Sequence, residues 1–187
     1  MKIEYENYEI EIVDDNFYVD NTSKHNYQSK YSGGHKVNGR SYAINKRGII
    51  IKELNNESVF SSILLCENGG RTKISLDLFK IIKDDLLICI GDKIYCLKIP
   101  NLQINWFKSL PLGTNYLINS FKEDYLVFGE IGLVRINEAG EEIWHYKGEN
   151  GIFIPGNGKL KISDSVIELI DGNDKKYIID ESGKEII

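Results

Sequence analysis

The stretch INEAGEEI, from Ile136, recurs with few changes as IDESGKEI from Ile179. Two further copies lie upstream, INKRGIII from Ile44 and the looser LKIPNLQI from Leu97. Three copies place a Gly three residues after Asn or Asp, and the fourth has Pro100-Asn101 instead, which is the chemistry of a tight turn between strands. Recurrence at a spacing of about 40 to 50 residues indicates one supersecondary unit that is used several times.

The segments around these copies are rich in Ile, Leu, Val and Tyr and are separated by Gly, Asn, Asp or Pro. In the best-matched copies an acidic residue precedes a strand, a tight turn leads to a second strand, and the Gly or Pro-Asn turn leads to a third. Another short apolar segment precedes each unit, so we expect about four strands in roughly 40 residues, as in a β-propeller blade. Because no helical periodicity interrupts this pattern, the sequence predicts an all-β fold.

We predict a single all-β domain over residues 1–187, with a small propeller-like arrangement of about four antiparallel units and an extra amino-terminal hairpin. The units are expected at approximately 1–71, 72–110, 114–149 and 150–187. The hairpin is expected from YEIEIV and NFYVD, which flank Asp14-Asp15. Closing the units into a ring would remove exposed sheet edges, which favours the ring. The alternative is two packed antiparallel sheets or another meander.

Trp106 and Trp144 fall at matching places in the third strands of their units, and we predict that both are packing anchors. From about residue 72 to 187, the strand, Gly turn and Trp-bearing strand resemble the blades of quinoprotein-like propellers. That resemblance implies the fold but no quinone cofactor, since no acidic cluster matches the calcium-bound cofactor site. The run DNTSKHNYQSKYSGGH from Asp20 is similar to a segment of a family of small bacterial all-β proteins, which implies a bacterial origin.

Charge and hydropathy argue against several classes of protein. The formal net charge of −5 argues against a nucleic-acid binder, which needs a basic footprint. No apolar run approaches the roughly 18 residues of a membrane span, so no membrane association is expected. In the amino-terminal MKIEYENYEIEI, charged residues alternate with large side chains and no continuous apolar stretch is present, so we do not expect a secretory signal. With no export signal, we expect a cytoplasmic protein with free thiols.

Two of the cysteines, Cys89 and Cys96, flank a predicted turn at Gly91-Asp92. If Ile90 pairs with Lys93, the two thiols point to the same face of the hairpin but lie diagonally, which is a poor span for a disulfide. We therefore expect both to be core thiols beside Leu87 and Ile94.

The polar run from Asn21 to Arg40 is the most unusual part of the chain, and we predict a surface loop that leads into a strand. It offers aromatic area and cationic donors, the chemistry of interface hot spots. Its alternative interpretation is a solvated connection whose glycines permit a turn. The candidate partner-binding residues are Tyr27, Tyr31, His35 and Arg40, with His25 and Lys30 at the rim.

No motif indicates a catalytic, metal or cofactor site. The spacing of His25 and His35 fits no short zinc motif, and no metal or cofactor is expected. No glycine-rich phosphate loop or nucleophile elbow is present. Acidic residues recur at matching positions of the repeat, which predicts turn-forming hydrogen bonds to the backbone and not an acid/base pair. These acids are Asp84, Asp85, Glu123, Asp124 and Asp164.

We therefore predict a non-catalytic module that binds another protein, with an immunity-type inhibitor of a basic toxin as its most concrete form. One alternative is a sensor for a small molecule or carbohydrate, which would need a deep pocket with convergent polar groups. Another is a hydrolase or lyase that uses a His and Tyr pair of the 21–40 run, which would need a hydrogen-bonded histidine in a cleft. A flat, exposed aromatic patch would favour the interaction protein.

Overall fold

The computed structural model describes residues 1–19, 24–39, 41–149, 152–154, 156, 159–163 and 165–186. These residues form an all-β fold of four sheets, which confirms the predicted fold class. Their helical content is one short 3-10 helix, Leu76–Leu78. In the part of the chain that the structure describes, no helix has the length and apolar character needed to cross a membrane.

Sheet 1 has six strands in the order β1-β2-β5-β6-β3-β4. The strands are β1 Lys2–Tyr5, β2 Tyr8–Asp14, β3 Ser29–Ser32, β4 His35–Lys36, β5 Asn45–Glu53 and β6 Val59–Glu67. All pairs are antiparallel except β3 with β6, which run parallel. The expected amino-terminal hairpin is present, but it is formed by β1 and β2, with Tyr5 opposite Tyr8. A turn does follow β2, where the Tyr18 amide donates to the Asp15 carbonyl oxygen at 2.8 Å, but the described residues of NFYVD form no strand, so the hairpin predicted around Asp14-Asp15 is wrong.

Sheets 2, 3 and 4 are antiparallel meanders whose strands follow one another in chain order. Sheet 2 contains β7 Phe79–Ile82, β8 Asp85–Ile90, β9 Lys93–Lys98 and β10 Gln103–Ser109. Sheet 3 contains β11 Asn115–Phe121, β12 Asp124–Gly129, β13 Gly132–Ile136 and β14 Glu142–Lys147. Sheet 4 contains β15 Leu160–Ile162, β16 Val166–Ile170 and β17 Lys176–Asp180.

The middle sheets are buried on both faces, which explains their continuous apolar runs. In β8, Leu86 and Ile88 belong to the core between sheets 1 and 2, whereas Leu87 and Cys89 belong to the core between sheets 2 and 3. Alternate side chains of a strand point to opposite faces, so a strand covered on both sides needs an apolar residue at every position.

The cores connect the sheets in series. One cluster joins sheet 1 to sheet 2, a second joins sheet 2 to sheet 3, and a third joins sheet 3 to sheet 4. Among the described residues, no hydrophobic cluster joins sheet 4 back to sheet 1. In the part of the chain that the structure describes, the sheets therefore pack face to face in series without closing into a barrel, which fits the predicted alternative of packed antiparallel sheets.

The expectation for the cysteines is confirmed. Leu87 lies opposite Cys96 and Cys89 opposite Ile94, as the turn predicted, and both thiols are free and buried. Burial raises the pKa of Cys89, and it raises the pKa of Cys96 to about 11. Both side chains are therefore uncharged core residues at neutral pH.

Both tryptophans are packing anchors, as predicted. Trp106 Nε1 donates to the carbonyl oxygen of Glu138 at 3.1 Å, and its ring covers Gly140, where a Cβ atom would lie 2.6 Å from the ring. In the same way, Trp144 Nε1 donates to the carbonyl oxygen of Glu181 at 3.0 Å, and its ring covers Gly183. Each tryptophan thus docks on the Gly turn of the following sheet.

The first copy of the repeat, INKRGIII, does not form the predicted turn. Its Gly48 is buried inside β5, opposite Val13 of β2. A Cβ atom there would lie 1.9 Å from the hydroxyl oxygen of Tyr27. The glycine thus permits the close approach of a tyrosine to the sheet, a use of glycine that sequence alone does not distinguish from a turn.

The prediction for the recurring acids is also wrong where the structure describes them. Asp85 Oδ1 accepts a hydrogen bond from Asn105 Nδ2 at 2.8 Å, and Asp124 Oδ2 lies 2.6 Å from Arg135 Nη2. Ile82 pairs with Asp85 and Phe121 with Asp124. In both tight turns the backbone of the acidic residue pairs with the preceding strand. The carboxylates of Asp85 and Asp124 bind side chains instead of the backbone of the turn. Asp164 lies outside the described residues.

Candidate functional site

Part of the polar run that was predicted as a loop is a strand hairpin at the edge of sheet 1. β3 pairs in parallel with β6, with Tyr31 opposite Leu65, and β4 returns beside β3 after Gly33-Gly34. The buried Glu67 Oε1 accepts a hydrogen bond from the Gly33 amide at 2.7 Å. The Gly34 amide donates to the hydroxyl of Tyr95 in sheet 2 at 3.0 Å. The prediction of a loop is wrong here because these long-range contacts order the turn.

Tyr27 is a structural residue on the face of sheet 1 that is turned away from sheet 2. Its hydroxyl donates to Asp15 Oδ2 at 2.9 Å, and its ring meets that of Tyr18 edge-on at 5.4 Å. Burial raises its pKa, and the bond to Asp15 adds to this effect. Tyr27 packs with Ala43 against the cluster formed by Tyr18, Leu64 and Cys66, which we call the outer cluster.

The other predicted site residues are distributed over different surroundings. Tyr31 packs against the core between sheets 1 and 2. His35 is exposed at the hairpin tip, with its ring edge-on to Phe107 at 6.4 Å. Lys30 Nζ lies 5.9 Å from the centre of the Tyr18 ring, and the ring of His25 lies 6.3 Å from that of Tyr27.

The structure therefore brings His25, Tyr27 and Lys30 together at the outer cluster and separates Tyr31 and His35 from them. Arg40 lies outside the described residues.

The described histidines show no catalytic arrangement in a cleft. The hydroxyl of Tyr27, whose ring lies 6.3 Å from that of His25, donates to Asp15. His145 Nδ1 lies 2.7 Å from Glu142 Oε1, but both side chains are exposed on β14. Within the described ranges, no group of three or more His, Cys, Asp or Glu residues is placed to hold a metal ion.

The residues that sequence reasoning missed are the two most exposed aromatic side chains of the region. Phe17 is 86% exposed and Tyr42 is 87% exposed. Val19 and Ile44 on the same two segments are also exposed. We call Phe17, Val19, Tyr42 and Ile44 the aromatic patch.

Hydrogen bonds hold the two segments of the aromatic patch to each other. The Lys46 amide donates to Asn16 Oδ1 at 2.9 Å, and Lys46 Nζ donates to the Tyr18 carbonyl oxygen at 3.0 Å. Tyr18 and Ala43, which follow Phe17 and Tyr42 in the chain, pack in the outer cluster. The two aromatic side chains therefore extend from backbone that is anchored on the sheet.

A shallow cleft adjoins the aromatic patch at Tyr42, with a volume of about 460 Å³. It is lined by Ser32, Val37, Asn38, Ser41, Tyr42, Ala43 and Asn68. Among the described residues, this lining offers hydroxyl and amide groups and no charged side chain. Hydroxyl and amide groups of this kind can form hydrogen bonds with the backbone and polar side chains of another protein.

No protein-family model matches this chain, and no curated protein matches it either. Among solved structures, the chain is similar to the computationally designed protein Ika8, with a TM-score of 0.53 and 10% identity. The match covers 100% of this chain and 59% of the designed one. A chain in a complex of S. cerevisiae Dbp5 with Nup159, Gle1, IP6 and ADP gives a TM-score of 0.43 and 14% identity over 60% of this chain and 33% of that one.

The chain thus spans only part of the length of these structures. The likeness to the designed protein concerns the fold alone, and the other match is too distant for any inference. The resemblance to quinoprotein-like blades stays a prediction.

Proposed function

We propose that this protein is a non-catalytic module that binds another protein through the aromatic patch. The observation that carries the proposal is the exposure of Phe17 and Tyr42 on backbone that is tied to sheet 1. Clustered exposed apolar side chains mark interaction sites in soluble proteins, and aromatic residues are enriched there.

The anchoring of the patch favours tight binding. Because Lys46 bonds to both Asn16 and Tyr18, the segment that carries Phe17 loses little conformational freedom when a partner binds. Each aromatic anchor that enters a pocket of a partner contributes about 2 kcal/mol, as measured by truncation at interface hot spots. The adjoining hydroxyl and amide cleft supplies a polar rim.

The charge of the protein suggests the kind of partner. A net charge of −5 attracts a basic protein and speeds the encounter. Within this proposal, the most specific role is that of an immunity-type inhibitor, which covers the active site of a basic toxin. Such a role requires a rigid scaffold and a complementary surface, and no catalytic group.

The proposal is tested by comparing partners captured by the full chain and by F17S/Y42S. Ile143→Ser is the matched control, because Ile143 is an exposed apolar residue on sheet 3. We expect a basic protein that is captured by the wild type and by the control, and at least tenfold less of it with F17S/Y42S. Equal capture by all three proteins, or a partner lost only with Ile143→Ser, would overturn the proposal.

A further inference from the structure

A second cleft lies where the connection from sheet 1 to sheet 2 passes β11 of sheet 3. Its volume is about 320 Å³, which is near the lower end of the range for small-molecule sites. It is lined by Arg71, Thr72, Lys73, Ser75, Asp77, Tyr116 and Leu117. We call it the connector cleft.

Two cations at the connector cleft are free to bind a ligand. Arg71 and Lys73 are exposed, and neither forms an ion pair or hydrogen bond with a described residue. Asp77 is the acidic residue of the lining. A guanidinium and an ammonium group that are two residues apart can both reach the oxygens of one anion.

A third cation is buried directly behind the wall of this cleft. Arg47 is 2% exposed, and its Nη2 donates to the carbonyl oxygen of Thr72 at 2.9 Å. Its Nη1 lies 3.9 Å from Asp14 Oδ2, a weak pairing, and neither Nη1 nor Nε has a hydrogen-bond partner among the described residues. An incompletely paired buried charge acts through a medium of low dielectric constant and makes the cleft more attractive to an anion.

Unused polar groups accompany these cations. The hydroxyl of Thr72 is buried without a hydrogen-bond partner among the described residues. Asn115 is fully buried, and both polar atoms of its amide likewise lack a described partner. Asn115 precedes Tyr116, whose half-buried ring lines the cleft together with Leu117. The buried amide of Asn115 and the buried hydroxyl of Thr72 thus lie behind the cleft, and the lining itself combines two cations with an apolar surface.

We propose that the connector cleft binds a small organic phosphate ester. The phosphate bonds to Arg71 and Lys73, and the apolar part of the ester lies on Tyr116 and Leu117. A phosphate group has enough acceptor oxygens to engage a guanidinium fork and an ammonium group at once. Asp77 opposes the anion and limits its affinity.

The test is a titration of the full chain with phenyl phosphate, followed by the amide resonances in NMR spectra. We expect saturable shifts that centre on residues 71–77 and 115–117, weaker binding of inorganic phosphate, and none of benzyl alcohol. R71A/K73A should reduce the affinity at least tenfold, because it removes both cations that bind the phosphate. Since both side chains are exposed, their loss leaves the core intact. Asp77→Asn should increase the affinity.

Two further variants separate this site from general charge effects and from the aromatic patch. Lys108→Ala removes an exposed lysine of β10 and should leave phenyl phosphate binding unchanged, as should F17S/Y42S. Unchanged affinity in R71A/K73A, shifts spread evenly over surface lysines, or equal binding of benzyl alcohol would each overturn the proposal.

Discussion

The same tryptophan contact joins sheet 2 to sheet 3 and sheet 3 to sheet 4, whereas sheet 1 is joined to sheet 2 by different contacts. In the first two junctions, a tryptophan donates to a turn carbonyl and covers a glycine, Trp106 on Gly140 and Trp144 on Gly183. Both glycines have positive φ, +73° and +83°, which suits a residue without a side chain. Repetition in the sequence therefore corresponds to repetition of a packing contact.

The junction between sheets 1 and 2 relies on buried polar groups as well as apolar ones. Glu67 of β6 accepts hydrogen bonds from the hydroxyl of Tyr95 and from the amide of Gly33. Asn45 Nδ2 donates to the carbonyl oxygens of Gly69 and Gly70 at 3.1 and 3.2 Å. The aromatic patch is tied to sheet 1, where the repeat is broken, whereas the connector cleft lies between the connection to sheet 2 and β11 of sheet 3. For the partner protein, the repeated sheets 2 to 4 are therefore expected to act as a scaffold.

The largest effect is expected from variants that remove the repeated tryptophan contact. Trp106→Ala and Trp144→Ala should each lower the free energy of unfolding by about 3 kcal/mol, because each leaves a cavity over its glycine and removes a hydrogen bond. Unfolding in urea measures the change. Similar losses in both variants would support equivalent junctions, and a loss below about 1 kcal/mol in either would contradict a role in holding the sheets together.

The next effect concerns the polar junction. Glu67→Ala should lower the free energy of unfolding by about 2 kcal/mol, because it leaves the Tyr95 hydroxyl and the Gly33 amide without their acceptor in a buried place. Glu67→Gln is the matched control, since both hydrogen bonds end on Oε1 and an amide oxygen can accept them. Equal stability of the alanine and glutamine variants would show that the network does not stabilise the junction.

The same carboxyl group makes the stability of the junction between sheets 1 and 2 depend on pH. Burial raises the pKa of Glu67 above its ordinary value, although the bonds from Tyr95 and Gly33 act against this. An acid with a raised pKa in the folded state destabilises that state as the pH rises from its unfolded pKa through its folded pKa.

Glu67→Gln should therefore gain stability relative to the wild type as the pH rises through this window, by less than about 1.4 kcal/mol per pH unit. Urea unfolding of both proteins between pH 4 and 8 would measure it. A constant difference across this range would mean that the carboxyl group titrates normally.

The smallest effect on stability is expected at the aromatic patch. F17S/Y42S should change the free energy of unfolding by less than about 0.5 kcal/mol, because both side chains are exposed in the folded protein. A loss of stability as large as that of the tryptophan variants would assign Phe17 and Tyr42 to the core and remove the basis for a binding surface.

The sequence was sufficient to predict the features that depend on local patterns. Alternation of apolar residues around Gly91-Asp92 determined which faces Cys89 and Cys96 occupy, and the spacing of the repeat identified Trp106 and Trp144 as equivalent. It could not predict that β3 pairs in parallel with β6, since that pairing depends on contacts between distant residues such as Gly33 and Glu67.

The candidate site was harder to predict because adjacent aromatic residues have opposite environments. Tyr18 is buried in the outer cluster while Phe17 beside it is exposed, and Tyr27, predicted as a contact residue, packs on Gly48. Composition marked the region as unusual, but only the path of the chain over sheet 1 decides which rings face solvent.

The most direct test of the division between a binding sheet and a scaffold is hydrogen exchange of the full chain, with and without the protein that it captures. We expect the partner to slow exchange in residues 15–19 and 41–46, which carry the aromatic patch, and to leave residues 79–147 unchanged. Slowed exchange confined to residues 79–147 would contradict the account, because the partner would then bind the repeated sheets and not the sheet that departs from the repeat.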